Sequence, residues 1–183
     1  VEVTGWLKYD FYKIKNKNYY ANEVKEIRKK YGNFFLLSSN YGALSNQGLN
    51  RILEKNKHLK QYRNSKSKNN DYFTFIRSIK DFDYLKSKLS LFLNKHKNFK
   101  LIIRPHPSDE LHSDWEDVNK LENLKVIYQH DIIPWIIASR GLIHRGCSTA
   151  IDAYLLKKSI FYFRPNRNIL PTEKNLTFKI SKK

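Results

Sequence analysis

The sequence has no methionine, one cysteine, and 17 acidic residues against 35 lysines and arginines. Each shortage excludes something. A lone thiol, Cys147, cannot form an internal disulfide and fits a reducing compartment. No CxxC or HExxH spacing occurs, which argues against a structural zinc site. No apolar run approaches the ~20 residues needed to cross a bilayer, and no signal peptide is legible. Neither GxGxxG nor GxxxxGK[ST] is present, so the common dinucleotide and P-loop cradles are missing. There is no internal repeat. A chain that begins at Val1 and contains no methionine is expected to be a piece of a longer protein. The closing "TFKISKK" has no capping pattern, so the C-terminus is expected to be cut as well.

The acid shortage leaves a net charge of +18. Such a balance favours anionic partners: nucleic acid, acidic lipid headgroups or nucleotide phosphates. Lysine and asparagine are enriched together along the whole chain, and that bias alone would give the same charge with no role attached. No helix-turn-helix, zinc-finger or RNP-like signature accompanies it, which argues against a nucleic-acid module. Hydrophobic residues make up 40% and aromatics 14% of the 183 residues, enough for one domain with a real core.

What is there alternates. "VEVTG" reads as a short strand, "NEVKEIRKKYG" as a helix stopped by Gly32, and "NFFLLSSNYG" as a strand buried on both faces. From about Ala43 to Asn70 the text is polar, a surface excursion. "TFIRSIKDFDYLKSKLSLFLNKH" carries a helical stripe of Ile76, Ile79, Leu85, Leu89 and Phe92. "KLIIRPHP" is a strand halted by prolines, "DELHSDWEDVNKLE" an acidic helical crossover, and "LKVIYQ" a further strand. "DIIPWIIASR" opens a helix with Asp131 as cap and Pro134 in its first turn. "GLIHRG", "STAIDAYLLKK" and "SIFYF" complete a strand–helix–strand run. Strands are expected near 34–38, 100–104, 124–128, 141–144 and 159–163. The alternation specifies an α/β fold, a doubly wound parallel sheet with helices on both faces. Residues 1–15 are expected to be a linker or remnant of a preceding domain, 16–165 the Rossmann-like domain, and 166–183 a truncated extension.

In such a sheet ligands bind beyond the carboxyl ends of the strands. "SSNYG", "RPHP", "HRGCST" and "RPNR" all fall there. In "HRGCSTAID", Gly146 permits a tight turn or close backbone approach. Ser148 or Thr149 can cap the following helix, and Thr149 with Asp152 resembles a capping box. The same helix start could receive an anion; cap and anion site remain alternatives. Cys147 reads as a small buried residue, because no base is spaced to activate it. Two prolines fix the direction of His106 and Arg104, which could donate to and clamp a phosphate. His144 and Arg145 would add positive potential, although His144 could equally point into the sheet. Ser38, Ser39 and Asn40 would form the opposite wall. No DxD-like carboxylate pair stands at a strand end, so no metal is expected.

Taken in order, "VTGWLKYDFYK", "IRKKYGNFFLLSSNYG", "LIIRPHPSDE", "DIIPWIIAS" and "LIHRGCSTAIDAYLLKKSIFYFRP" resemble bacterial surface carbohydrate biosynthesis proteins. These are GT-B type glycosyltransferases of capsule and lipopolysaccharide assembly, whose elements commonly read "TGNPR.D", "NTNF", "RPHPSE" and "HNGCTT..EA". This chain departs from them at Trp6-Leu7-Lys8, at Arg145 and at Asp152, which stands where a glutamate is usual. The resemblance implies a cytoplasmic, C-terminal nucleotide-sugar-binding half acting on a glycan or glycolipid acceptor. It implies peripheral contact with an anionic inner membrane, and a catalytic base carried by an absent N-terminal domain. By the same resemblance His106 would contact the donor phosphate, and Ser148 with Thr149 would bind phosphate or carboxylate. The donor it points to is a CMP-ulosonate such as CMP-Kdo, with no other cofactor. Other readings are a polyol-phosphate transferase of the teichoic-acid type, a basic nucleic-acid-binding module, and a non-catalytic nucleotide sensor.

Overall fold

Five short apolar segments form the strands, and the turns between them place helices on both faces of the sheet. A computed structural model describes residues 9, 12, 18–39, 41, 66–107, 115–128, 131–163 and 176–181, with side chains omitted for 66–79, 116 and 117. In chain order these are α1 (Ala21–Tyr31), β1 (Phe35–Ser38), α2 (Lys66–Lys95), β2 (Leu101–Arg104), α3 (Glu116–Asn119) and β3 (Leu124–Val126). There follow α4 (Ile133–Ala138), β4 (Gly141–His144), α5 (Thr149–Leu155), β5 (Ser159–Tyr162) and α6 (Leu176–Lys179).

The strands make one parallel sheet in the order β3-β2-β1-β4-β5. All five fall within the expected windows, and β3 stops two residues early. The chain runs outward from β1 through β2 to β3, then returns past β1 to place β4 and β5 on the other side. Right-handed crossovers in opposite directions put their helices on opposite faces. One face is covered by α1, α4 and α5, and its core contains Leu36, Ile102, Leu142, Ile160, Trp135 and Ile136. The other is covered by α2 and α3 and contains Leu37, Leu101, Ile103, Phe82, Leu93 and Trp115. Alternation along each strand divides the two sets: Leu36 points one way and Leu37 the other.

Local chemistry sets the ends of the elements. Gly32 closes α1 at φ +69°, where a side chain would be strained. The N-cap of α4 is Ile132 rather than the expected Asp131, whose carboxylate, one residue earlier, accepts the Ile133 N–H at 2.9 Å. Gly141 is required for space: a Cβ there would lie 2.9 Å from the Ser159 carbonyl and 3.2 Å from the Phe161 ring. Of the expected stripe of α2, Leu85 is buried and Leu89 half-buried, the Ile76 and Ile79 side chains lie outside those described, and Phe92 is a correction. Leu93 is fully buried, whereas Phe92 is 43% exposed. The "VEVTG" strand and the domain boundaries expected near 15 and 165 lie outside the described residues.

Candidate functional site

The order of the sheet reverses between β1 and β4, and there the carboxyl ends of two neighbouring strands leave a crevice. Strand register brings the polar residues into one row at this level. Ser38 pairs with Arg104 on one side and with His144 on the other, and His144 pairs with Tyr162. One layer below runs the apolar row Ile102–Leu36–Leu142–Ile160. Each polar residue sits two positions beyond an apolar one, so both rows face α4 and α5.

Ser38 and Thr149 meet directly. The Thr149 hydroxyl donates to Ser38 Oγ at 3.1 Å, and Ser38 donates to Cys147 Sγ at 3.4 Å. Ser38 and Cys147 are buried, Thr149 is half-buried and Ser148 is exposed. The capping-box expectation fails. Ser148 stands at the N-cap already in helical conformation, φ −61° and ψ −22°, and makes no side-chain cap bond. The amides of Ala150 and Ile151 bond instead to the carbonyls of Cys147 and Ser148, closing a tight first turn. Asp152 points away from that turn and accepts the Tyr12 hydroxyl at 2.8 Å. Burial first, then the bond to Asp152, raises the Tyr12 phenol well above its ordinary value.

The cations are more committed than their positions imply. His144 is completely buried. The Gly146 amide donates to its Nδ1 at 3.1 Å, so Nε2 carries the proton and donates to Ser181 Oγ at 2.8 Å. Burial lowers its pKa to about 4, so the ring is neutral and adds no positive potential at the rim. Arg145 turns to the opposite face, pairing with Asp81 of α2 and lying over the Tyr41 ring at 5.1 Å. Arg104 is 4% exposed, packed 5.5 Å from the Trp135 ring centre, and donates to the Asp131 carbonyl at 3.1 Å. Its Nε is buried with no hydrogen-bond partner, and desolvation lowers its pKa to about 10, which leaves it charged at neutral pH. Ser39 is buried and donates its amide to the Arg104 carbonyl at 3.1 Å. His106 is half-buried just beyond β2, and Asn40 lies outside the described residues.

Two groups at this end were not anticipated from sequence. Tyr12 fastens the segment before α1 to α5, and Tyr20 bonds to the Asp131 carboxylate, its phenol pushed up to about 12 by burial and by that bond. Neither tyrosine sits in a periodic pattern, so only their partners reveal them. Two open hollows, of about 560 and about 410 Å³, lie away from the row. The first is lined by Tyr154, Lys157, Ser159 and Ile180, the second by Phe92, Lys95, His96 and Phe99.

No family model, curated protein or solved structure matches this chain. The site therefore rests on its own geometry. It offers two linked hydroxyls, one exposed hydroxyl, a turn glycine at φ +76° and a buried arginine with an unused N–H. That set can hydrogen-bond an anion or a polyhydroxy group. Among the described residues no cluster of three metal-ligating side chains occurs.

Proposed function

We propose that this chain is the donor-binding domain of a glycosyltransferase of bacterial surface-polysaccharide assembly, with a CMP-activated ulosonic acid as donor. The observation that carries the reading is the register: Ser38 lies between Arg104 and His144 at the point where the strand order reverses. Ligands of open parallel sheets bind at such points. Thr149, once its hydroxyl turns from Ser38, and exposed Ser148 supply donors for one phosphate and one carboxylate, which is what a CMP-ulosonate presents. His106, held between two prolines, hydrogen-bonds or protonates the cytidylate oxygen as its bond to the sugar carbon breaks. The acceptor hydroxyl forms the new bond to that carbon, and its proton passes to a base on the acceptor-binding domain. In this reading Arg104 strengthens the field from below, and no divalent metal is required.

Titrating CMP, UDP and GDP, each with and without magnesium, tests the donor class. CMP should bind tightest and without magnesium. Tighter, magnesium-dependent binding of UDP or GDP would sink the CMP assignment. The isolated chain should bind donor nucleotide yet transfer little or nothing, and robust turnover by it alone would overturn the assignment of the acceptor side to another domain.

A further inference from the structure

Between Tyr84 and Lys100 the chain has five lysines and no aspartate or glutamate. Leu85 and Leu93 of this stretch face the sheet, 2% and 0% exposed, whereas Tyr84, Leu91 and Phe92 are 44%, 64% and 43% exposed. Tyr84, Lys88, Leu91 and Lys95 recur at i, i+4, i+7 and i+11, so they share one outward stripe of α2. Phe92 flanks that stripe and is braced from within. Its ring meets Phe99 edge-on at 5.0 Å, and Phe99 stacks on Phe35 of β1 at 4.9 Å. The hollow of about 410 Å³ beside it is rimmed by Lys95, His96 and Lys97. The two carboxylates just upstream are already engaged, Asp81 by Arg145 and Asp83 by Lys86 at 3.8 Å. Lys88, Lys95 and Lys97 thus flank exposed apolar side chains in a stretch without an acid, and the Lys100 amine lies beside Gly32 instead.

We propose that this face of α2 docks on a bilayer surface rich in anionic phospholipid. Leu91 and Phe92 enter the boundary between headgroups and acyl chains, and Lys88, Lys95 and Lys97 lie at the level of the lipid phosphates. Charge complementarity selects an anionic surface, and the apolar tip selects lipid over nucleic acid. An aliphatic Leu91 can neither pair with a phosphate nor stack on a base, whereas burial in lipid removes it from water. Docking is peripheral: among the described residues no helix is long and apolar enough to cross a membrane. Lys100 leads directly into the amino end of β2, whereas the polar row lies at the carboxyl ends. This surface is therefore separate from the proposed donor site and does not depend on it.

Flotation of the full chain with vesicles tests the proposal. Vesicles of phosphatidylcholine mixed with phosphatidylglycerol should carry the protein, and pure phosphatidylcholine vesicles should not. The exposed substitutions Lys88→Gln and Lys95→Gln should each lower partitioning about fivefold. Leu91→Ser should lower it about tenfold at unchanged charge. Lys29→Gln with Lys125→Gln removes twice the charge of either single change, from exposed positions elsewhere, and should still change partitioning less than twofold. Circular dichroism melts should show that every variant is folded. Equal losses for the remote pair would overturn the proposal in favour of bulk charge. So would indifference to Leu91→Ser, or binding of a short duplex DNA that depends on Lys88 and Lys95 with no vesicle binding.

Discussion

Removing the two hydroxyls at the start of α5 separates a ligand role from a purely structural one, because they stand in different surroundings. Ser148 is exposed and caps nothing, so Ser148→Ala should change stability by no more than ~0.5 kcal/mol. Thr149 donates to Ser38 at 3.1 Å, and Thr149→Val removes that donor while Ser38 still reaches Cys147. One neutral, half-buried hydrogen bond is worth about 1 kcal/mol. If both hydroxyls hold a donor anion, the double variant loses charge-assisted bonds instead, about 1.5–3 kcal/mol for each. Nucleotide affinity should then fall at least about a hundredfold. Urea unfolding and calorimetric titration with CMP, run on the same preparations, measure the two losses separately. A stability loss well above 1 kcal/mol with unchanged CMP affinity would refute the anion reading and leave the Thr149–Ser38 bond as packing alone.

Acid should weaken the fold through His144. Its folded pKa is lowered to about 4 against about 6.5 when unfolded, so only the unfolded chain gains the proton between those values. Its contribution is complete above pH ~6.5 and disappears as pH falls to about 4, a loss on the order of 3 kcal/mol. Urea melts across that window should show the slope, and a His144→Gln variant should flatten it. Gly141→Ala forces a Cβ to 2.9 Å from the Ser159 carbonyl and should cost about 1–3 kcal/mol in chemical unfolding. Tyr12→Phe removes a donor from the buried Asp152 carboxylate and should cost about 1.5–3 kcal/mol; a melt indistinguishable from the parent would show that the bond contributes nothing.

The three central strands were legible because each is an apolar run buried on both faces, a pattern that survives without knowledge of its neighbours; the edge strand β3, with Lys125 exposed, was read from its place in the alternation. Their parallel direction followed from the alternation with helices, whereas the order β3-β2-β1-β4-β5 did not. The fate of individual polar residues was harder to read. His144, Ser38 and Arg104 each lie two positions after a buried Leu or Ile, and that parity places them on the α4–α5 face. Parity was the available signal, and a position at a strand end hid it. Arg145 could not be assigned, because its partner Asp81 lies 64 residues earlier on a helix whose rotation about its axis the periodicity left ambiguous. The same ambiguity put Phe92 in the core. Capping chemistry at Thr149 and Asp152 fits the spacing of a capping box, yet Tyr12 outcompetes it for the carboxylate from 140 residues away.

The six residues of α4 are too few to hold a helix unaided. Its last carbonyls are satisfied from elsewhere in the chain. Arg28 of α1 donates to Ile137 and Ala138, and Lys158, beyond α5, donates to Ile137 at 2.6 Å and Ser139 at 2.9 Å. Burial, with the Arg28 charge beside it, lowers the Lys158 pKa, a cost tolerated for these bonds. The α1 helix and the turn after α5 therefore share one set of part-buried hydrogen bonds with the end of α4, and none can loosen alone without breaking them. Amide hydrogens of α1, α4 and α5 should exchange as one cooperative unit, with a common opening free energy. The wall of the crevice formed by this layer would then move as a block, and any adaptation to a ligand falls to the loops above it.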